Sequence, residues 1–164
     1  MPSQDKSGKP PNRRTVARLA AVQALYQMDI SGADLPRTLS EFETYRLDGD
    51  VEGEKLAKAD PAFFKMLVSG VVDDQIQLDR EVDRVLAQGW PLKRIDATLR
   101  AILRAGAFEL MFRPEIPFKA AINEYVEIAH AFFDDDLSRM VNGVLDTIAQ
   151  AAGRSDTPPE RAEA

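Results

Sequence analysis

Wherever apolar residues cluster in this chain they return at helical spacing, and no stretch of useful length alternates at the period of a strand. That property confines the chain to an all-α architecture, in which each helix must bury one stripe against its neighbours. The helices are separated by punctuation with clear chemistry. A first helix is predicted from about residue 14 to residue 30, closed by Ser31-Gly32. Asp34-Leu35-Pro36 opens a shorter one to about Arg46. Residues 47–59 are charged, contain two glycines and read as a loop. Asp60-Pro61 starts a long helix, with Asp as cap and Pro at the first position, that keeps one broad apolar face as far as Gln88, with Gly70 as a place to bend. Gly89-Trp90-Pro91 breaks it, and Trp90 reads as a plug between helices. Asp96 caps the next helix, which runs to Phe112. After the rigid turn Arg113–Pro117 come helices over 118–133 and, capped by Asp134-Asp135-Asp136, 134–151. Six to seven helices joined by short connections predict antiparallel neighbours. Residues 1–12 and 153–164 lack apolar residues to bury and read as a disordered arm and tail around a helical domain at 13–152.

With no cysteine, the chain has neither a disulfide framework nor a thiolate nucleophile or metal ligand. No apolar run approaches the ~20 residues needed to cross a bilayer, and MPSQDKSGKPPN is not a signal segment, so a cytoplasmic protein is expected. The charge is unevenly spread. Net charge is −6, yet residues 1–18 hold Lys6, Lys9, Arg13, Arg14 and Arg18 against Asp5 alone. A basic arm before an acidic body points to a polyanion such as nucleic acid, or else to a merely solvated tail.

The first helix carries the detail. At about 100° per residue, Val16, Leu19, Tyr26 and Ile30 form one stripe, with Gln23 inside it. Ala17, Ala21, Ala24 and Met28 form a second, small-residue face that lets another helix approach closely. Arg14 and Arg18, four apart, project together from the helix start. Basic residues there oppose the helix dipole, so helix stability does not explain them.

Chemistry of other kinds finds little support. Glu127-Ile128-Ala129-His130 has the spacing of a di-iron ligand pair, but such sites need two of these motifs plus further glutamates, and His130 is the sole histidine. The Asp134–Asp136 run lacks the glycine and spaced oxygens of a calcium loop and serves as a helix cap. There is no phosphate-binding glycine loop, dinucleotide fingerprint or nucleophile elbow. The residues favour a binding module that is not an enzyme and needs no cofactor.

Four stretches carry a resemblance: Ala17-Arg18 with AVQALYQ at 21–27, ILRAGAFEL at 102–110, IPFKAAINEYVEIA at 116–129 and MVNGVLDTIA at 140–149. Asn123, Asn142 and Gly143 within them are poor helix formers that binary patterning alone would not place. They read as packing features, Gly143 for close helix approach and the asparagines for bends or caps. In this order the stretches resemble the NusB family of bacterial transcription antitermination factors, while residues 32–60 match nothing recognisable. The resemblance implies two packed helical subbundles and no catalysis. It implies partnership with the small-subunit ribosomal protein NusE on single-stranded boxA-type RNA of ribosomal RNA operons, within an RNA polymerase antitermination complex. Carried onto this sequence, it implies RNA contacts at Arg13, Arg14 and Arg18, with Arg18 aligned most cleanly. Thr15 and Val16 stand where members often have further arginines. Gln23 is either a base-edge contact or a buried amide. Ser138 and Arg139 fall in a segment near the RNA, with Leu137 where many members have a small polar residue. Tyr26 and Asp136 match partner-side positions, though periodicity equally allows Tyr26 a core role. The contrasting reading is an acidic helical scaffold that binds proteins only.

Overall fold

The computed structural model describes residues 12–45, 50–51, 54–55, 58–86 and 91–154. Lys6, Lys9 and Trp90 lie outside these residues. Seven α-helices are found among them: α1 (Arg13–Ser31), α2 (Leu35–Tyr45), α3 (Pro61–Asp73), α4 (Gln75–Val85), α5 (Ala97–Phe112), α6 (Phe118–Phe132) and α7 (Asp135–Ala151). A 3-10 turn at Leu92–Arg94 precedes α5. Within the expected 47–59 loop, Asp50–Val51 and Glu54–Lys55 form a two-residue antiparallel ladder.

Local chemistry sets most helix ends as the sequence suggests. Asp60 accepts from Phe63 N, Asp96 from Thr98 and Leu99 N, and Asp134 from Leu137 N, while Asn12, expected within the disordered arm, caps α1 by accepting from Thr15 N. Such caps are each worth about 1 kcal/mol. Gly32 closes α1 in the left-handed region at φ 75°, which a Cβ would disfavour.

The expected long helix from Asp60 to Gln88 is two helices, broken at Asp74 rather than bent at Gly70. Gly70 has another role. A Cβ there would overlap the ring of Phe108, so the bare backbone admits that ring from α5. Turning the chain at Asp74 lets α3 pack on α1 and α5 while α4 packs on α5 and α7.

Helix α5 is the hub, buried on almost every side from Leu99 to Leu110. Helices α1, α2 and α3 pack together on one flank and α4, α6 and α7 on the other, giving two subbundles that share α5. The core is aliphatic with few rings. Phe42 and Phe64 stack at 5.5 Å between α2 and α3. The C-terminal boundary expected at residue 152 falls short. Arg154 folds back to donate to the carbonyls of Leu110 (2.9 Å) and Ile116, closing the end of α5 and the turn after it.

The larger stripe of α1 is not its core face. Ala17, Ala20, Ala21, Val22, Ala24 and Leu25 are buried, while Tyr26 and Ile30 are 41% and 63% exposed. Alanines allow α3 and α5 to approach the backbone of α1, Val22 and Leu25 are buried beside them, and Tyr26 and Ile30 are left outside. Gly143 is also exposed, with nothing within 4 Å of the point a Cβ would occupy, so it serves no close helix approach. Asn123 and Asn142 are exposed on the outer sides of α6 and α7.

Candidate nucleic-acid interface

The arginines expected to act together are separated by the fold. Arg18 is 5% exposed. Its Nε and Nη2 donate to the two carboxylate oxygens of Glu109 on α5, both at 2.8 Å. The Tyr125 hydroxyl on α6 donates to the same carboxylate. Glu124 adds a longer ion pair to Arg18 at 3.9 Å and accepts from the Thr15 hydroxyl at 3.0 Å. Burial works against the Arg18 charge, but the hydrogen bond and charge of Glu109, with Tyr125 and Glu124 behind them, outweigh it and hold its pKa above the ordinary arginine value. Burial first, and then the Glu109 charge, push the Tyr125 phenol well above its usual range, so it stays a neutral donor. The expectation that Arg18 reaches RNA is therefore corrected. Its charge is neutralised, its donors are engaged, and it ties α1 to α5 and α6.

Ser138 is corrected in the same way. It is 1% exposed, and its hydroxyl donates to the Asp134 carbonyl at 3.1 Å as part of the α7 cap. Several other arginines are also consumed internally. Arg100 binds Asp29 and the carbonyls of Leu92, Lys93 and Ile95, and Arg104 makes a two-pronged pair with Asp79.

Arg13 and Arg14 are different. Both are exposed, and among the described residues neither has an ion-pair partner. No acid occupies the first turn of α1. The Asp60 amide donates to the Arg13 carbonyl at 3.1 Å, which brings the start of α3 to the start of α1. The exposed Lys58, two residues earlier, therefore joins this cationic end. Nothing in the residue pattern points to that, because the segment around Lys58 reads only as a charged loop. On the same side Phe63, the third residue of α3, lies under Arg14, whose Cζ is 4.6 Å from the ring centroid. Near the start of α7, Arg139 is exposed and paired with exposed Asp136 at 2.6 Å. A pair this exposed is weak and open to exchange with another anion.

Gln23 and Tyr26 belong to a second feature. With Val22, Gln27, Thr98 and Phe132 they line an open groove of about 440 Å³ between α1, the start of α5 and the end of α6. Gln23 is exposed, so the buried-amide alternative is not realised. Tyr26 lies on the surface and not in the core, and Phe132 beside it is 48% exposed. Gln23 lies nine positions beyond Arg14. That is about two and a half turns, or roughly 14 Å along the axis, and places the two on opposite sides of α1. The cationic end and the half-apolar groove are distinct surfaces of one helix.

No group of three or more potential metal ligands occurs among the described residues. His130 is exposed, with Asp135 3.7 Å away. No helix among the described residues is long and apolar enough to cross a membrane.

Comparison with known proteins identifies the family. A profile of the NusB family matches residues 15–150. The transcription antitermination protein NusB of Caulobacter vibrioides is 55% identical over 146 residues, covering 89% of this chain and 98% of that protein. Among solved structures, NusB of T. maritima superposes with a TM-score of 0.69 at 30% identity, over 84% of this chain and 90% of the other. The fold is also that of a chain in a crystal structure of the antitermination factors NusB and NusE in complex with dsRNA (TM-score 0.71, 23% identity, 85% and 97% coverage). With a matching profile over most of its length and relatives above half identity across more than four-fifths of theirs, the chain belongs to the NusB family.

Proposed function

We propose that this protein is a non-catalytic RNA-binding transcription antitermination factor that acts with the small-subunit ribosomal protein NusE on boxA-type RNA of ribosomal RNA operons, within an RNA polymerase antitermination complex in the cytoplasm. The observation that carries the reading is the cationic end of α1. Arg13 and Arg14 stand exposed and, among the described residues, unpaired on an otherwise acidic chain whose Arg18, Arg100 and Arg104 are tied up internally. Family membership supports the same reading, since the relatives are antitermination proteins and one fold neighbour was crystallised with NusE and RNA.

In this mechanism the guanidinium groups neutralise phosphates and meet the exposed faces of unpaired bases. The acidic body repels RNA elsewhere and attracts a basic ribosomal protein. Tyr26, with Phe132, offers the half-apolar groove to that partner, and Asp136 adds a carboxylate at the start of α7. Arg139 reaches RNA by giving up Asp136. Gln23, at the rim of the groove, reads a base edge where the strand passes from one surface to the other. Affinity and sequence choice are then divided between two polypeptides.

The test is a titration of single-stranded boxA-type RNA at several salt concentrations, with and without purified NusE. Binding should weaken with salt by about 0.7 log units in K per tenfold change for each phosphate contacted. Replacing both Arg13 and Arg14 by Ala should weaken RNA binding and flatten that slope by at least about 0.7 while helicity is retained. NusE should tighten RNA binding sharply. Binding to NusE with no salt-dependent RNA binding at all would instead establish the protein-only scaffold.

A further inference from the structure

The RNA reading treats Arg14 as one of two equivalent cations, but its surroundings are not those of Arg13. The Phe63 ring is 5% exposed, and two guanidinium groups cover it, with Cζ of Arg14 4.6 Å and Cζ of Arg18 4.9 Å from its centroid. Arg18 is fixed by Glu109, and Phe63 is fixed at the start of α3 by the Asp60 cap and the core beneath it. The ring is thus a rigid floor, and Arg14 rests on it with its own residue still exposed. A guanidinium is planar and binds an aromatic face, and bases stack on guanidinium planes. An arginine already seated on a ring loses less side-chain freedom when a base covers it. Moving Arg14 away to chase a phosphate would instead uncover the ring.

We infer that Phe63 is a positioning residue of the RNA site: it seats Arg14 so that this side chain presents a stacking surface to an unpaired base, while Lys58, brought alongside by the Asp60–Arg13 backbone bond, contacts the neighbouring phosphate. The inference rests on the RNA-binding reading above and deepens it. It assigns base stacking to Arg14, phosphate binding to Arg13 and Lys58, and a part in RNA binding to the start of α3 and the residues just before it.

Charge and plane are separated by substitution. The full-length protein is titrated with a 12-nucleotide single-stranded RNA and, in parallel, with inorganic polyphosphate, which carries the charge without bases. Arg14→Lys keeps the charge and removes the plane. It should weaken RNA binding about tenfold, within the range for loss of one stacked base, leave the salt slope unchanged, and shift polyphosphate binding by less than about twofold. Lys58→Gln should reduce the salt slope by about 0.7 with both ligands. Phe63→Leu should reproduce the Arg14→Lys loss and add nothing to it in the double variant, and Phe63→Tyr should restore wild-type binding. Thermal melting checks that Phe63→Leu is folded, and if it is not, the Arg14→Lys result decides. Wild-type RNA affinity in Arg14→Lys, an equal loss on RNA and polyphosphate, or additive effects at positions 14 and 63 would each overturn the inference while leaving RNA binding intact. A wild-type protein that binds no RNA would overturn both readings together.

Discussion

Replacing Arg18 by Met tests whether this arginine serves the fold or the RNA. Met matches much of the aliphatic stem but supplies neither charge nor donors. Glu109 would remain buried between α1, α5 and α6, having lost both 2.8 Å hydrogen bonds and keeping only the Tyr125 hydroxyl. Removing one partner of a buried ion pair costs about 3–5 kcal/mol, because the other charge stays in the interior uncompensated. In a domain of this size each kcal/mol shifts the melting temperature by roughly 2–4 °C, so Arg18→Met should lower it by roughly 6–20 °C. The triple variant Arg18→Met, Glu109→Leu, Tyr125→Phe removes the three buried polar side chains of the network and should recover most of the loss, since well-packed apolar replacements of a buried pair are often neutral or stabilising. Urea titrations of the single and triple variants measure this directly. A single-variant loss below about 1 kcal/mol would refute the structural assignment. So would a folded Arg18→Met protein whose RNA salt slope drops by about 0.7, the signature of a lost phosphate contact.

Four further sites lend themselves to direct measurement. Tyr125 has a folded pKa well above the unfolded value of about 10, so the folded state keeps a proton that the unfolded state loses, and stability falls above that pH by about 1.4 kcal/mol per unit until the folded group ionises; Tyr125→Phe should remove this component of the alkaline slope in urea titrations. Gly70→Ala would drive a methyl into the Phe108 ring and should destabilise the protein by about 1–3 kcal/mol in thermal melts. Gly143→Ala meets open space in a helix interior and should raise stability by up to about 1 kcal/mol; a loss of RNA or NusE binding in that stabilised variant would reveal a contact at the bare backbone. Arg154→Ala leaves the carbonyls of Leu110 and Ile116 without their guanidinium donor, and should loosen the α5–α6 turn, seen as faster amide exchange there.

The chain's own order of residues determined its helices and most of their ends, because periodicity, Asp caps, Asp60-Pro61 and Gly32 act over one turn and need no distant partner. It also showed where basic residues gather, and the spaced stretches that mark the family. Tertiary structure alone decided which of those features face outward. Helix α1 has two stripes of plausible spacing, and the alanine stripe lies inside because α3 and α5 pack close against it, leaving Tyr26 and Ile30 at the surface. Arg14 and Arg18 share one side of that helix, yet one is open and the other neutralised, because Glu109, 91 residues away, arrives on α5 to meet only the second. The break at Asp74 and the arrival of Lys58 and Phe63 beside Arg13 and Arg14 have the same origin. Each depends on groups far apart along the chain, whose attraction and exclusion of water exist only once the helices have packed.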